Sequence, residues 1–148
     1  MSVKNRLRED MKQAMRSGDK ARLGVIRMAL AAIQQREVDE RVELDDTAVL
    51  GVIEKMIKQR RESIEQYRAG QRDDLADREA AEIDVLSDYL PEPLSAAELD
   101  ALIRSTIEKT GATSMKDMGR VMAELRAEAQ GRADMAVLSA RVKAILAG

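Results

Sequence analysis

The only two prolines of this chain, Pro91 and Pro93, stand two positions apart and interrupt an otherwise continuous helical pattern. Each proline lacks a backbone N–H and biases the preceding residue away from the helical region, so no helix continues through this point. On both sides, apolar residues recur at the three- and four-residue spacing of amphipathic helices, and no segment alternates as a strand would. The sequence therefore predicts an all-α protein with a domain boundary at the prolines.

Residues that favour helix starts and stops divide the part before the prolines into four predicted helices. Gly18 ends the first helix, and Asp19 is placed to cap the second. Asp45 is the expected N-cap of a long third helix, which Gly70 ends as the residue after the C-cap. A shorter acidic helix follows over about residues 73–89.

Similar signals predict three helices after the prolines. Ser95 opens a capping box, and Gly111 ends the helix that follows. The oxygen of Ser114 is placed to cap the next helix, Gly131 stops it, and Asp134 caps the last one. The predicted layout is an N-terminal domain of about four helices (1–90), a Pro-containing hinge (91–94) and a C-terminal three-helix domain (95–148).

The composition excludes many kinds of catalytic centre. There is no cysteine, which excludes disulfides, thiolate nucleophiles and cysteine-ligated zinc. There is no histidine, the side chain best suited to proton transfer near neutral pH and the commonest transition-metal ligand. No Walker-type loop or dinucleotide fingerprint occurs, and the acidic clusters lack the ligand spacing of a calcium loop. We therefore predict no cofactor, no metal site and no catalytic residue.

The charge distribution argues against DNA binding. Residues 1–71 carry 15 Lys/Arg and 12 Asp/Glu, residues 72–92 carry 2 and 8, and residues 93–148 carry 8 and 7. No domain therefore has the strong basic field of a DNA-binding protein. Tyr67 and Tyr89 are the only aromatic residues, which leaves no ring platform for stacking unpaired bases. A local RNA contact through phosphates and shape is compatible with this composition.

A basic run occupies the predicted third helix, and it has two interpretations. Such a run is typical of a solvated helix face, and a phosphate-binding stripe is the alternative. The run consists of Lys55, Lys58, Arg60, Arg61 and Arg68.

No apolar tract of the sequence is long enough to cross a bilayer, and no N-terminal segment has the pattern of a signal peptide. We therefore expect a soluble cytoplasmic protein without membrane association.

The segment MGRVMAELRAEAQGRADMAVL, residues 118–138, resembles the C-terminal tail of the B subunit of tRNA-dependent amidotransferases (GatB). In that tail, a helix with an internal glycine precedes a Gly-Lys-Ala-Asn type turn and a last helix. The helix matches at Gly119, Val121 and Met122, and the turn matches with conservative changes at Gly131, Arg132, Ala133 and Asp134.

Over nearly its whole length, the chain resembles the stand-alone YqeY family. The residues that carry this resemblance are Arg22, Leu23, Val25, Ile26, Arg27 and Met28, then Lys58 to Ser63 with Tyr67 and Gly70, then Tyr89, Leu90 and Pro91, and finally Ser114 to Gly119. The resemblance implies two helical parts, the second similar to a domain that touches tRNA. It includes none of GatB's catalytic domain, so a carbon–nitrogen ligase activity with glutamine as amide donor would rest on the tail alone.

The resemblance implies a non-catalytic accessory protein that docks on tRNA or on a tRNA-dependent amidotransferase-type complex. The C-terminal domain would make the contact, with Lys116, Arg120 and Arg132 approaching phosphates. The alternative is a helical protein-binding module without RNA binding. In it the tail binds a protein, and the long N-terminal helices serve as an interaction or dimerisation surface through an exposed apolar groove.

The remaining candidate residues of the C-terminal domain are helix starts and glycines. The helices that follow Ser114 and Asp134 would offer free N–H donors to anions, and Gly119 would let a phosphate backbone come close. A structural role is the alternative for each glycine. Gly119 would then let two helices pack tightly, and Gly131 would be a C-cap.

Overall fold

The computed structural model describes residues 1–148, which form seven α-helices and no strand. The helices are α1 (Val3–Ser17), α2 (Lys20–Glu40), α3 (Asp46–Ala69), α4 (Asp73–Ser87), α5 (Ala96–Thr110), α6 (Met118–Ala129) and α7 (Met135–Ala147). A 3-10 turn, Met115–Asp117, precedes α6. The prediction of an all-α protein is confirmed. No helix combines the length and the apolarity that a membrane span requires.

The chain divides into two compact units, Met1–Leu90 with α1 to α4 and Pro91–Gly148 with α5 to α7. Each unit buries the apolar stripes of its own helices, which is the main favourable contribution to its folding. The buried core of the first unit contains Leu7, Val25, Ile26, Ala29, Ile33, Val49, Val52, Ile53, Met56, Ile57, Leu86 and Tyr89. That of the second contains Leu99, Ile103, Val121, Leu125, Ala129, Leu138, Val142 and Leu146.

Most of the predicted helix caps are confirmed. Side-chain oxygens of Asp19, Asp45, Ser95 and Asp134 accept backbone N–H groups in the first turns of α2, α3, α5 and α7, at 2.8 to 3.2 Å. The capping box at Ser95 is complete in both directions. These bonds satisfy donors that a helix start leaves without an intrahelical partner.

Three local predictions need correction. Gly70 has a φ of −86°, and the left-handed residue at the end of α3 is Gln71, with a φ of 58°. The fourth helix ends at Ser87, because the chain turns there and buries Tyr89 in the core of the first unit. The sixth helix begins only at Met118, since the 3-10 turn comes first.

The basic run on α3 does not form one free cationic stripe. Arg60 is half-buried and donates to Glu82 at 2.8 Å and to the carbonyl of Met56 at 3.2 Å. Arg68 lies within 3.6 Å of Asp73 and 3.4 Å of Asp77 on α4. These two arginines therefore connect α3 to α4. Arg68 is exposed, as are Lys55, Lys58 and Arg61.

Two further polar contacts connect distant parts of the first unit. The buried Lys4 ammonium lies 2.8 Å from Glu37. The buried Tyr89 hydroxyl donates to Asp10 at 2.5 Å, and the Arg6 guanidinium lies 4.7 Å from the centroid of the Tyr89 ring. Both contacts involve α1. The first joins it to the C-terminal end of α2, and the second joins it to the C-terminal end of the unit.

Candidate nucleic-acid interface

Three of the predicted contact residues lie together at the start of α6. Lys116 is in the 3-10 turn, and Gly119 and Arg120 are in the first turn of the helix that follows. All three are exposed. Gly119 lies three positions after Lys116 and directly before Arg120, so all three residues lie within about one turn of each other. The start of α6 therefore presents a small basic surface with an uncovered stretch of backbone at its centre.

The carboxylate of Asp117 organises this surface. One oxygen accepts the backbone N–H groups of Thr113 and Ser114, at 2.9 and 3.3 Å, and the other accepts from Arg120 at 2.9 Å. The bonds from the two backbone N–H groups, with the nearby Arg120 charge, lower the pKa of Asp117 below its ordinary value. The carboxylate is thus ionised near neutral pH, and a phosphate at this surface would share Arg120 with it.

Gly119 is not needed for helix packing. A Cβ atom added at this position would meet no atom within 4 Å, and the residue has no positive φ. The interpretation that Gly119 lets two helices of this chain pack tightly is therefore wrong. In an exposed helix, glycine costs about 1 kcal/mol relative to alanine, and no contact within the chain offsets that cost at Gly119.

The turn between α6 and α7 has a structural role. Gly131 is buried with a φ of 82°, a left-handed conformation that favours glycine, directly after the C-cap of α6. The Arg132 guanidinium donates to the carbonyl of Glu92 at 2.9 Å, and the Arg132 carbonyl accepts from the N–H of Leu94 at 2.8 Å. This turn is hydrogen-bonded to the segment that contains the two prolines. A phosphate that binds Arg132 would have to share it with the Glu92 carbonyl.

The two predicted helix-start sites also carry carboxylates. At α6 the Asp117 carboxylate accepts two N–H groups before the helix, and at α7 the Asp134 carboxylate accepts the N–H of Ala136 at 2.8 Å. Each carboxylate complements the positive end of the helix dipole and would repel a second anion. Ser114 itself is half-buried.

The candidate residues thus fall into two groups. Lys116, Gly119 and Arg120 form one exposed surface, whereas Gly131 and Arg132 lie beyond the far end of α6, about 15 Å along the helix axis. The hydrogen bond from the Ser114 N–H to Asp117 follows from the position of Asp117 three residues after Ser114, as in a capping box. The bond from Arg132 to Glu92 spans 40 residues and has no comparable local signal. No group of three or more Asp or Glu side chains is placed to hold a metal ion.

Residues 4–146 match the family described as Yqey-like protein. Curated relatives include three proteins that are each named Altered inheritance of mitochondria protein 41, mitochondrial. The Pyrenophora tritici-repentis protein is 33% identical over 144 residues, which cover 95% of this chain and 79% of the relative. The proteins of Vanderwaltozyma polyspora and Lachancea thermotolerans are 34% and 38% identical, over 76% and 72% of this chain and 64% and 58% of their own lengths.

These relatives require one correction. The expectation of a cytoplasmic protein is contradicted by their names, which describe them as mitochondrial. The resemblance of the tail to GatB stays a prediction. The family match spans nearly the whole chain, from the first helix to the last, and on this ground the chain belongs to the Yqey-like protein family.

Proposed function

We propose that this chain is a non-catalytic accessory protein that binds tRNA, or a tRNA-dependent amidotransferase-type complex, through its second unit. The observation that carries the proposal is the exposed surface of Lys116, Gly119 and Arg120 at the start of α6. It lies within the segments that resemble the YqeY family and the GatB tail. A lysine and an arginine beside an uncovered backbone can hold a phosphate while the chain of the nucleic acid passes closely.

The electrostatics of this surface favour modest, salt-dependent binding. Lys116 has no ion pair, whereas Arg120 is already bonded to Asp117. Each phosphate neutralised by a cation releases counterions, so affinity falls as salt rises. With one free and one shared cation, we expect contact with one or two phosphates, and such docking would not depend on the nucleotide sequence.

We also infer that the four-helix and three-helix parts act as separate domains joined at the prolines. Each part has its own buried core, which supports this division. The hydrogen bond from Arg132 to the Glu92 carbonyl, and the one from the Leu94 N–H to the Arg132 carbonyl, support including the end of the predicted hinge in the second part. The joint is therefore proposed at Leu90 and Pro91.

The test is a titration of the full chain with unacylated tRNA over a series of salt concentrations. We expect the double variant Lys116→Ala/Arg120→Ala to bind more weakly. The slope of log K against log salt should shrink by up to about 0.9 for each phosphate that the variant no longer neutralises. The matched control is Lys143→Ala/Arg104→Ala, which removes one exposed lysine and one exposed arginine elsewhere in the second unit. This control should bind like the unchanged chain.

Two outcomes would contradict the proposal. Negligible binding at low salt would leave the protein-binding alternative, and equally weakened binding by both double variants would indicate general charge attraction without a site. A ligase activity is not proposed, because it would rest on the tail resemblance alone. Release of ammonia from glutamine by the purified chain would overturn that position.

A further inference from the structure

A groove of about 790 Å³ lies between α1 and α2 in the first unit. Its floor includes Met11, Leu30 and Ala31, of which the first two are half-buried and Ala31 is exposed. Its lining also includes four cations, from residues 4, 8, 12 and 27, and two carboxylates, from residues 9 and 37. The groove thus combines apolar surface with a net excess of two positive charges.

Both carboxylates of the groove are already paired. Glu37 lies 2.8 Å from the Lys4 ammonium and also accepts the N–H of Leu44. Glu9 lies 3.4 Å from Lys12. These ion pairs involve both carboxylates of the groove and two of its four cations.

The two remaining cations are arginines without an ion pair. Arg8, on α1, donates to the side-chain oxygen of Asn5 at 3.2 Å and acts on Glu37 only through longer-range attraction. Arg27, on α2, is exposed and contacts no carboxylate within 4 Å. Guanidinium groups are suited to bidentate bonds with carboxylates. Each helix of the groove thus supplies one arginine free to bind an acidic partner.

We propose that this groove binds an acidic amphipathic helix of a partner protein. Apolar side chains of that helix would lie on Met11, Leu30 and Ala31, and its flanking carboxylates would pair with Arg8 and Arg27. The lining on α1 extends from Lys4 to Lys12, about 12 Å or two helical turns. This length suits the helix-in-groove mode of peptide recognition.

The apolar floor favours a helix over a nucleic acid as the occupant. RNA phosphates would pair with the arginines but would leave the apolar surface uncovered, whereas an amphipathic helix covers both. The site is in the first unit and involves none of the residues proposed to meet tRNA. Its failure or success is therefore independent of the proposed function.

The test measures the binding of short synthetic helical peptides to the full chain by fluorescence anisotropy. One peptide has leucines on one face and glutamates on the other. The second replaces the glutamates with lysines, and the third scrambles the acidic sequence. We expect the acidic amphipathic peptide to bind at least tenfold more tightly than either of the others.

Matched variants locate the site. Arg8→Glu/Arg27→Glu should weaken the acidic peptide at least tenfold, whereas Arg61→Glu, an exposed arginine on α3 outside the groove, should not. Ala31 is exposed on a helix and tolerates longer side chains. Ala31→Glu should therefore weaken binding of the acidic peptide more than Ala31→Lys does, both without a change in melting temperature.

The contrary results are specific. Equal binding of the three peptides, no binding of the acidic one, or equal effects of Ala31→Glu and Ala31→Lys would overturn the proposal. A loss of tRNA affinity in Arg8→Glu/Arg27→Glu, with no peptide binding, would assign the groove to RNA. If the double charge reversal melts early, the Ala31 pair alone decides the result.

Discussion

The two units hold their carboxylates in different ways. In the first unit, distant side chains hold several carboxylates besides the helix caps: Glu37 is bound by Lys4, Asp10 by Tyr89, and Glu82 by Arg60. In the second unit, distant side chains hold Asp100, paired with Arg141, and Glu124, paired with Lys109. The backbone at the start of the carboxylate's own helix holds two others. Glu98 accepts the N–H of Ser95, and Asp117 accepts two N–H groups.

The two kinds of contact determine different features of the fold. A bond between residues far apart in sequence fixes which helices meet, and it forms only when the tertiary structure forms. A cap fixes where one helix begins, and it can form with that helix alone. Distant side-chain contacts are thus more numerous in the four-helix unit, whereas the three-helix unit combines two of them with local capping and its apolar core.

The largest expected effect concerns the long-range bond of Tyr89. Tyr89→Phe removes the hydroxyl and leaves the Asp10 carboxylate with only Arg22, 3.6 Å away. A hydrogen bond to a charged group contributes about 1.5–3 kcal/mol, and we expect the lower end of this range because Asp10 is half-buried. Denaturant unfolding should show this loss, and Tyr67→Phe, at a half-exposed tyrosine, should change stability by less than about 0.5 kcal/mol. Equal effects would mean that the Asp10 bond stabilises nothing.

The next effect tests a local cap. Ser95→Ala removes the side-chain oxygen that accepts the N–H of Glu98, and loss of such a cap costs about 1 kcal/mol. The control is Ser105→Ala, an exposed serine inside α5, where alanine is the better helix former. Urea unfolding followed by circular dichroism should separate the two variants in opposite directions. A neutral Ser95→Ala would show that packing alone places the start of α5.

A third effect is limited to acid and alkali. Bonding to Lys4 lowers the pKa of Glu37 below its ordinary 4.5, and bonding to Glu37 raises the pKa of Lys4 above its ordinary 10.5. A lowered carboxyl pKa stabilises the fold above the unfolded value, and this contribution is lost as pH falls through the folded value. The raised lysine pKa acts below 10.5 and is lost as pH rises above it.

The pair should therefore stabilise the first unit between about pH 4.5 and 10.5. The stability difference between the unchanged chain and Glu37→Gln should shrink as the pH falls from about 6 to about 3. Melting curves at several pH values measure it, with Glu62→Gln, at an exposed glutamate on α3, as control. A difference that stays constant over this range would contradict the role of the ion pair.

The smallest effect compares a glycine in each unit. Gly24 in α2 and Gly119 in α6 are both exposed, and an added Cβ would meet no atom within 4 Å at either position. Each substitution by alanine should stabilise the chain by about 0.5–1 kcal/mol. If Gly119 admits a phosphate backbone, Gly119→Ala should also weaken tRNA binding, whereas Gly24→Ala should not. Equal tRNA affinities would remove that role.

The sequence predicted the local contacts and did not predict the distant ones. The caps at Asp19, Asp45, Ser95 and Asp134 were predictable because cap and helix are adjacent in sequence. The bond between Tyr89 and Asp10 joins residues 79 positions apart, and no local pattern signals such a pairing. The same holds for Lys4 and Glu37, which are 33 positions apart.

The candidate interface was predictable only in part. Exposure of Arg120 follows from the helical period, since the apolar stripe of α6 occupies the other face, whereas Lys116 lies in the 3-10 turn before the helix. The involvement of Arg132 with Glu92 depends on how the turn meets the proline segment, which the sequence does not encode locally. The open space at Gly119 likewise depends on which helices lie nearby.

The placement of the two tyrosines has an optical consequence. Tyr67 and Tyr89 both belong to the first unit, and the chain has no tryptophan or phenylalanine. Ultraviolet absorption and emission from aromatic rings therefore report on that unit alone, whereas far-ultraviolet circular dichroism reports on the helices of both. Transitions that coincide by the two signals indicate one cooperative event, and transitions that separate indicate two. The tyrosine signal of the unmodified chain thus reports the unfolding of the first unit.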